Sequence, residues 1–81
     1  MINFNKIILI TGGTGSFGVF FTKFVLKKYN PKKIIIFSRD EMKQWNLAID
    51  LNYNKKIEFV IGDVRDKETI LKNCKNVDYI I

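Results

Sequence analysis

The sequence predicts an α/β fold on a parallel sheet, and three observations carry that prediction. Short apolar runs alternate with stretches of helical periodicity, in the order β-α-β-α-β-α-β over 81 residues. The runs are rich in Ile and Phe and have no polar face, so they want helices on both sides. The connections are long enough for crossover helices, and right-handed crossovers then give the strand order 3-2-1-4.

Lys6–Thr11 (KIILIT) is a β-branched run that reads as a buried first strand, stopping at the turn-forming cluster Gly12-Gly13-Thr14-Gly15. From Ser16 the period becomes helical. Phe17, Phe20, Phe21, Phe24 and Val25 fall at i, i+3, i+4, i+7 and i+8 and are expected to form the packed face, with Lys23, Lys27 and Lys28 largely off it. Asn30-Pro31 ends this helix, because proline lacks the amide hydrogen and restricts the residue before it. Lys33–Ser38 (KIIIFS) is the second strand. Asp40 or Ser38 caps a second helix running to about Asn52, with Met42, Trp45, Leu47, Ile49 and Leu51 as a less regular apolar set. Met42 and Trp45 read as packing residues. Asn52-Tyr53-Asn54 is a loop, and Lys56–Ile61 (KIEFVI) is a third strand ending at Gly62-Asp63. A short helix from about Asp66 to Asn73 is expected to bury Ile70 and Leu71, and Val77–Ile81 opens a fourth strand. An average domain takes ~100–150 residues. Residues 1–81 therefore read as the first half of a larger domain, whose fourth strand would be an unprotected edge in isolation.

Composition narrows the function classes. One Cys and no His exclude an internal disulfide framework and a Cys/His metal site. The longest apolar runs have four residues (Ile7–Ile10 and Ile34–Phe37), against ~20 for a membrane span and ~7–15 for a secretory core. The expectation is a soluble, reduced, cytoplasmic protein. Lys+Arg 14 against Asp+Glu 8 gives a net charge of +6, which raises nucleic acid as a partner. Twelve of the cations are scattered Lys. The densest group, Lys23, Lys27, Lys28, Lys32 and Lys33, lies at the end of a helix, where it complements the negative end of the dipole. No zinc-finger, helix-turn-helix or aromatic-interleaved basic pattern accompanies it, so nucleic acid is not expected.

The informative stretch is Thr11–Gly18 (TGGTGSFG), which satisfies both Gly13-x-Gly15-x-x-Gly18 and Gly12-x-x-Gly15-x-x-Gly18. A chain passing from strand to helix within a few residues must turn tightly, and glycine permits that. The missing Cβ at Gly15 lets backbone approach a pyrophosphate, and Gly18 lets the helix pack on the first strand. The amides of Gly15, Ser16 and Phe17 then face an anion from the positive end of the helix dipole, with the Thr14 and Ser16 hydroxyls as further donors. Such spacing is weak alone; strand before, amphipathic helix after and second strand at the right distance strengthen it.

The end of the second strand selects the nucleotide. NAD-binding sites place an Asp or Glu there for the ribose 2′-hydroxyl. Here Ser38 holds that place and Arg39 follows, whose planar fork suits a 2′-phosphate. Lys43 adds a second cation one helical turn on. NADP is therefore expected over NAD, with Asp40 as the competing acid should the register shift by one. At the end of the third strand, Asp63 can accept from the adenine amino group and the Val64 amide can donate to a ring nitrogen, while Asp66 caps the next helix.

Thr11–Gly18, Ser38–Lys43 (SRDEMK) and Gly62–Asp66 (GDVRD) together resemble the extended short-chain dehydrogenase/reductases, with a Rossmann-type domain. With Pro31–Glu41 (PKKIIIFSRDE) included, the resemblance narrows to the UDP-N-acetylglucosamine 4,6-dehydratases, including the inverting, 5-epimerising type of pseudaminic acid synthesis. It implies that Thr14, Gly15, Ser16 and Phe17 bind the pyrophosphate, with Gly12 and Gly18 in the same cofactor-binding loop. It also implies that Ser38, Arg39, Asp40, Glu41, Met42 and Lys43 serve the adenosine 2′-phosphate end, and Asp63 and Val64 the adenine. The implied chemistry takes a hydride from sugar C4, loses water across C5 and C6, and returns the hydride to C6. The resemblance further implies a UDP-sugar substrate, a homo-oligomer when complete, and a Tyr-x-x-x-Lys pair on a later helix.

That pair is not present. Tyr29–Lys33 has the spacing, but Pro31 lies inside it where a helix gives way to a strand, so it is rejected as catalytic. Cys74 has no His partner and reads as a structural thiol. No residue of this chain is assigned to catalysis, and the isolated chain is expected not to turn over substrate. The competing readings are another extended short-chain epimerase or reductase and a non-catalytic NADP-sensing module.

Overall fold

The computed structural model describes residues 2–81, with side chains from Phe4 onward. The elements are β1 (Ile2–Thr11), α1 (Ser16–Lys28), β2 (Tyr29–Ser38), α2 (Glu41–Asp50), β3 (Ile57–Ile61), α3 (Lys67–Asn73) and β4 (Tyr79–Ile80). All strand pairs are parallel and the sheet order is β3-β2-β1-β4, as expected from right-handed crossovers. No helix among the described residues is long and apolar enough to cross a membrane.

The alternation of the strands builds two core layers. Ile8, Ile10, Ile34 and Ile36 point to one face, where they pack with Val25 of α1 and Leu47 of α2. Leu9, Ile35 and Phe37 point to the other face, under Ile70 of α3 together with Val60, Cys74 and Val77. Phe37 and Leu9 are completely buried, and each such side chain contributes about 1.5–3 kcal/mol by leaving water.

The two long strands extend further back than the apolar pattern suggests. β1 begins at Ile2 and β2 at Tyr29, with Ile2–Phe4 aligned beside Tyr29–Pro31. A register shift between Phe4 and Ile7 explains why the pattern hides this pairing. The irregularity turns the Ile7 amide to the Asp78 carboxylate at 2.8 Å, while the Asp78 amide donates to the Ile7 carbonyl at 2.9 Å. Pro31 is tolerated in β2 because β3 pairs with that strand only from Ile34 onward. α1 stops at Lys28, and Tyr29 already has extended backbone while its amide donates to the Val25 carbonyl.

The buried face of α1 is not the aromatic one. Gly18, Thr22 and Val25 face the sheet, while Phe17 (63% exposed), Phe20 and Phe24 stand at the surface. Small residues at i, i+4 and i+7 let the helix sit close on the strands, which rotates the aromatic stripe to the flank. There Phe17 stacks on Phe21 (centroids 5.7 Å apart) and Phe20 on Phe24 (6.3 Å). In α2 only Leu47 of the expected apolar set is buried, and Met42 and Trp45 are exposed rather than packed. Gln44, on the same face one turn before Leu47, takes the buried place instead. In α3, Ile70 is half-buried but Leu71 is exposed (72%), since a single seven-residue helix buries one stripe only. Asp40 and Asp66 cap α2 and α3, accepting from the Lys43 and Thr69 amides. The loop Asn52–Tyr53 takes positive φ at both residues.

Candidate functional site

The C-terminal ends of β1, β2 and β3 open into one cleft of about 920 Å³, within the usual range for small-molecule sites. Its wall is made by Gly12, Thr14 and Gly15 after β1, by Ser38, Arg39, Asp40, Glu41 and Lys43 after β2, and by Gly62, Asp63, Val64 and Arg65 after β3. A second recess, lined by Phe4, Ile8, Phe21, Phe24, Val25, Tyr29, Tyr79 and Ile81, offers no charged group to orient a polar ligand.

The glycine loop is shaped by three different demands. Gly12 takes φ +58°, a conformation that side-chain-bearing residues rarely adopt. Gly18 meets the loop itself rather than the first strand: a Cβ there would lie 2.6 Å from Gly13 Cα. Gly15 is crowded by nothing nearer than the Gly12 carbonyl oxygen, 3.3 Å from its notional Cβ. That contact is a tight one with backbone, and the remaining space beside Gly15 faces the cleft.

The donors at the helix start also differ from expectation. The Gly15 amide is spent inside the loop on the Gly12 carbonyl at 3.0 Å, so it is not available to an anion. Ser16 and Phe17 begin the helix, and their amides have no intrahelical partner. No side chain caps this end and no acid lies in its first turn, which leaves the positive end of the dipole uncompensated.

At the end of β2, Ser38 is buried and tied from behind by Gln44, whose Nε2 donates to the Ser38 hydroxyl at 3.0 Å and to the Val60 carbonyl at 2.9 Å. Arg39 projects freely, with its side chain 72% exposed and its Nη1 3.7 Å from Asp63 Oδ2. The Asp40 carboxylate is occupied as the cap of α2, with Oδ1 3.0 Å from the Lys43 amide.

Asp63 is the electrostatic centre of the third wall. The Arg65 side-chain donors, then the Arg65 amide, hold its carboxyl well below the usual carboxylate range, and Arg65 is correspondingly raised. Asp66 is lowered by the Thr69 hydroxyl and then the Thr69 amide, in its capping role. Val64 stands exposed at the rim. Among the described residues no group of three His, Cys, Asp or Glu could hold a metal ion.

Of the residues expected at the site, Gly12, Thr14, Gly15, Ser38, Arg39, Asp40, Glu41, Lys43, Asp63 and Val64 line the cleft together. Ser16 and Phe17 are not among its lining residues, and they offer only amides at its edge. Gly18 is buried beneath the loop, and Met42 faces solvent. Sequence reasoning missed Arg65 and Gln44. The signal for Arg65 was its place two residues after Asp63, the spacing of a side-chain-to-backbone turn. The signal for Gln44 was a polar residue on the apolar stripe with Leu47 and Leu51.

A profile of the family described as "Polysaccharide biosynthesis protein" matches residues 8–81. A UDP-N-acetylglucosamine 4,6-dehydratase (inverting) of Campylobacter jejuni subsp. jejuni serotype O:23/36 is 53% identical over 76 residues, covering 94% of this chain and 22% of that protein. A UDP-glucose 4-epimerase of Rickettsia bellii is 51% identical over 79 residues, covering 94% of this chain and 23% of its own length. Among solved structures, the protein Pen from Bacillus thuringiensis superposes with TM-score 0.90 at 34% identity, over 99% of this chain and 25% of that one. A dTDP-glucose 4,6-dehydratase from Bacillus anthracis str. Ames in complex with NAD superposes with TM-score 0.72 at 27% identity, over 99% of this chain and 26% of its own. The chain thus spans about a quarter or less of the length of these relatives.

Proposed function

The chain belongs to the polysaccharide biosynthesis protein family, and from that premise we propose that it is the N-terminal, NADP-binding portion of a UDP-N-acetylglucosamine 4,6-dehydratase of the inverting, 5-epimerising type. The observation that carries this reading is the convergence of three strand ends on one cleft whose walls divide the labour of a dinucleotide site. The unpartnered amides of Ser16 and Phe17 suit a diphosphate. Arg39 and Lys43 suit a 2′-phosphate, and Asp63 with the Val64 amide suits the adenine edge.

Two features favour NADP. Ser38 ends β2 at the place where NAD sites carry an acid, and its hydroxyl accepts from Gln44, leaving its own proton to donate outward. Asp40 Oδ1 is taken up in capping α2, which counts against this carboxylate as the ribose acceptor. When bound, the nicotinamide supplies reversible hydride transfer. This chain's residues bind and orient the cofactor, while the sugar site and the proton-transfer groups belong to the remainder of a longer protein. The dehydratase and epimerase relatives share a UDP-sugar substrate in their names. We place the complete protein in the cytoplasm as a homo-oligomer serving surface-sugar biosynthesis in the pseudaminic acid series. A UDP-sugar 4-epimerase is the second reading, favoured by the 51% identity to that enzyme.

The test is Arg39→Ala in the protein that carries this chain, titrated with NADP+ and NAD+. Losing charge-assisted hydrogen bonds to a phosphate should weaken NADP+ on the order of 10- to 100-fold and leave NAD+ nearly unchanged. Equal losses for the two dinucleotides would remove the 2′-phosphate role.

A further inference from the structure

The carboxylate of Asp63 stands between two guanidinium groups and treats them differently. Its Oδ1 accepts from the Arg65 amide at 2.9 Å and from Arg65 Nε at 3.1 Å; its Oδ2 accepts from Nε at 3.1 Å and from Nη2 at 2.6 Å. Arg39 approaches the same Oδ2 only to 3.7 Å, close enough to feel the charge and too far for a hydrogen bond. A carboxylate has about four lone-pair sites, and Arg65 engages most of them from both backbone and side chain. Arg39 is therefore drawn toward the cleft by Asp63 without spending its donors on it.

We propose that Arg65 is a specificity-determining positioning residue: by engaging most of the acceptor sites of Asp63 it keeps the Arg39 guanidinium free for the 2′-phosphate of the cofactor. This rests on the reading of Arg39 given above. Without Arg65, Asp63 would hold an unpaired charge directly beside Arg39, and the preferred partner of a free carboxylate is a bidentate guanidinium. The 2′-phosphate would then have to displace an ion pair before bonding Arg39. NAD+ has no such phosphate and is spared this competition. Any contact between Asp63 and adenine is common to both dinucleotides, so it cancels in the ratio of their affinities.

The experiment measures Kd for NADP+ and NAD+ with the protein that carries this chain and its Arg65→Ala, Asp63→Asn, Asp63→Asn/Arg65→Ala and Arg39→Ala variants. Arg65 lies at the surface with its side chain 79% exposed, so its removal leaves the fold intact. Arg65→Ala should cut the preference for NADP+ over NAD+ about tenfold. Adding Asp63→Asn should restore the ratio, because the competitor for Arg39 is then neutral. Arg65→Lys, a point charge without the planar fork, should fall between wild type and Ala. An unchanged ratio in Arg65→Ala overturns the proposal. So does a double variant that stays as unselective as the single, which would mean that Arg65 binds the phosphate directly. Should Arg39→Ala leave the ratio unchanged, the 2′-phosphate reading fails first and takes this inference with it; a selective Arg39→Ala with an unselective response to Arg65→Ala sinks this inference alone.

Discussion

Gly18→Ala sets two physical effects against each other. Helix propensity favours Ala over Gly by about 0.8–1.0 kcal/mol in a helix interior. Against this, a Cβ at Gly18 would lie 2.6 Å from Gly13 Cα and 2.7 Å from its carbonyl carbon and oxygen. The loop and the helix would have to separate by about 0.8 Å to reach the 3.4 Å of ordinary contact. Gly13 has little room to retreat. Its amide donates to the Phe37 carbonyl at 3.2 Å, and its own Cβ position is 2.7 Å from Ile36 Cγ2 in the buried core. Overpacking typically costs about 1–3 kcal/mol, and three contacts with backbone rather than a movable side-chain tip put this case at about 3. The expected net loss is about 2 kcal/mol, read as a lower denaturant midpoint at unchanged m-value. The same opening shifts the start of α1, with the Ser16 and Phe17 amides, relative to the cleft, so NADP+ affinity should fall as well. A variant that is stabilised by about 1 kcal/mol, as propensity alone dictates, would refute the close-approach role of Gly18.

Other expectations follow from single residues. The Thr22 hydroxyl is buried on the sheet-facing side of α1 without a hydrogen-bond partner; the near-isosteric Thr22→Val should raise stability by about 1 kcal/mol, and a loss in thermal or denaturant unfolding would show that the hydroxyl is satisfied. Asp63, bonded by Arg65, and Asp66, bonded by Thr69, are both held below the ordinary carboxylate range. Their contribution should thus be complete above the ordinary carboxylate range and disappear as pH falls below it toward the folded-state values. In Asp63→Asn and Asp66→Asn this acid-side loss should shrink; stability profiles parallel to wild type between neutral and acid pH would contradict the assigned bonds.

Much of this architecture is legible in the sequence because it depends on local chemistry. The alternation of KIILIT and KIIIFS between two faces, the turn at Gly12–Gly15 and the caps Asp40 and Asp66 are each decided by neighbours within a few residues. The orientation of the helices is not. Phe17, Phe20 and Phe24 make the most hydrophobic stripe on α1, yet the sheet accepts the stripe of Gly18, Thr22 and Val25, because close approach to β1 and β2 leaves room only for Phe21 at the margin of the core. Leu71 and Trp45 fail as core residues for the same reason: burial is decided by what another element offers, and nothing among the described residues packs over them. In the site, residue type and strand-end position pointed to Arg39, Lys43 and Asp63. Residue types do not reveal that the Gly15 amide turns inward, because the turn that consumes it is a matter of backbone geometry. Arg65 escaped notice because its partner is a residue already given another role.

The most direct measurement is a crystal structure of the protein that carries this chain, grown with NADP+. Diphosphate oxygens should lie ~2.7–3.2 Å from the Ser16 and Phe17 amide nitrogens, with the Gly15 amide still donating to Gly12. A dinucleotide bound with its diphosphate away from these two amides, or a glycine loop closed over the cleft with the cofactor excluded, would contradict the assignment.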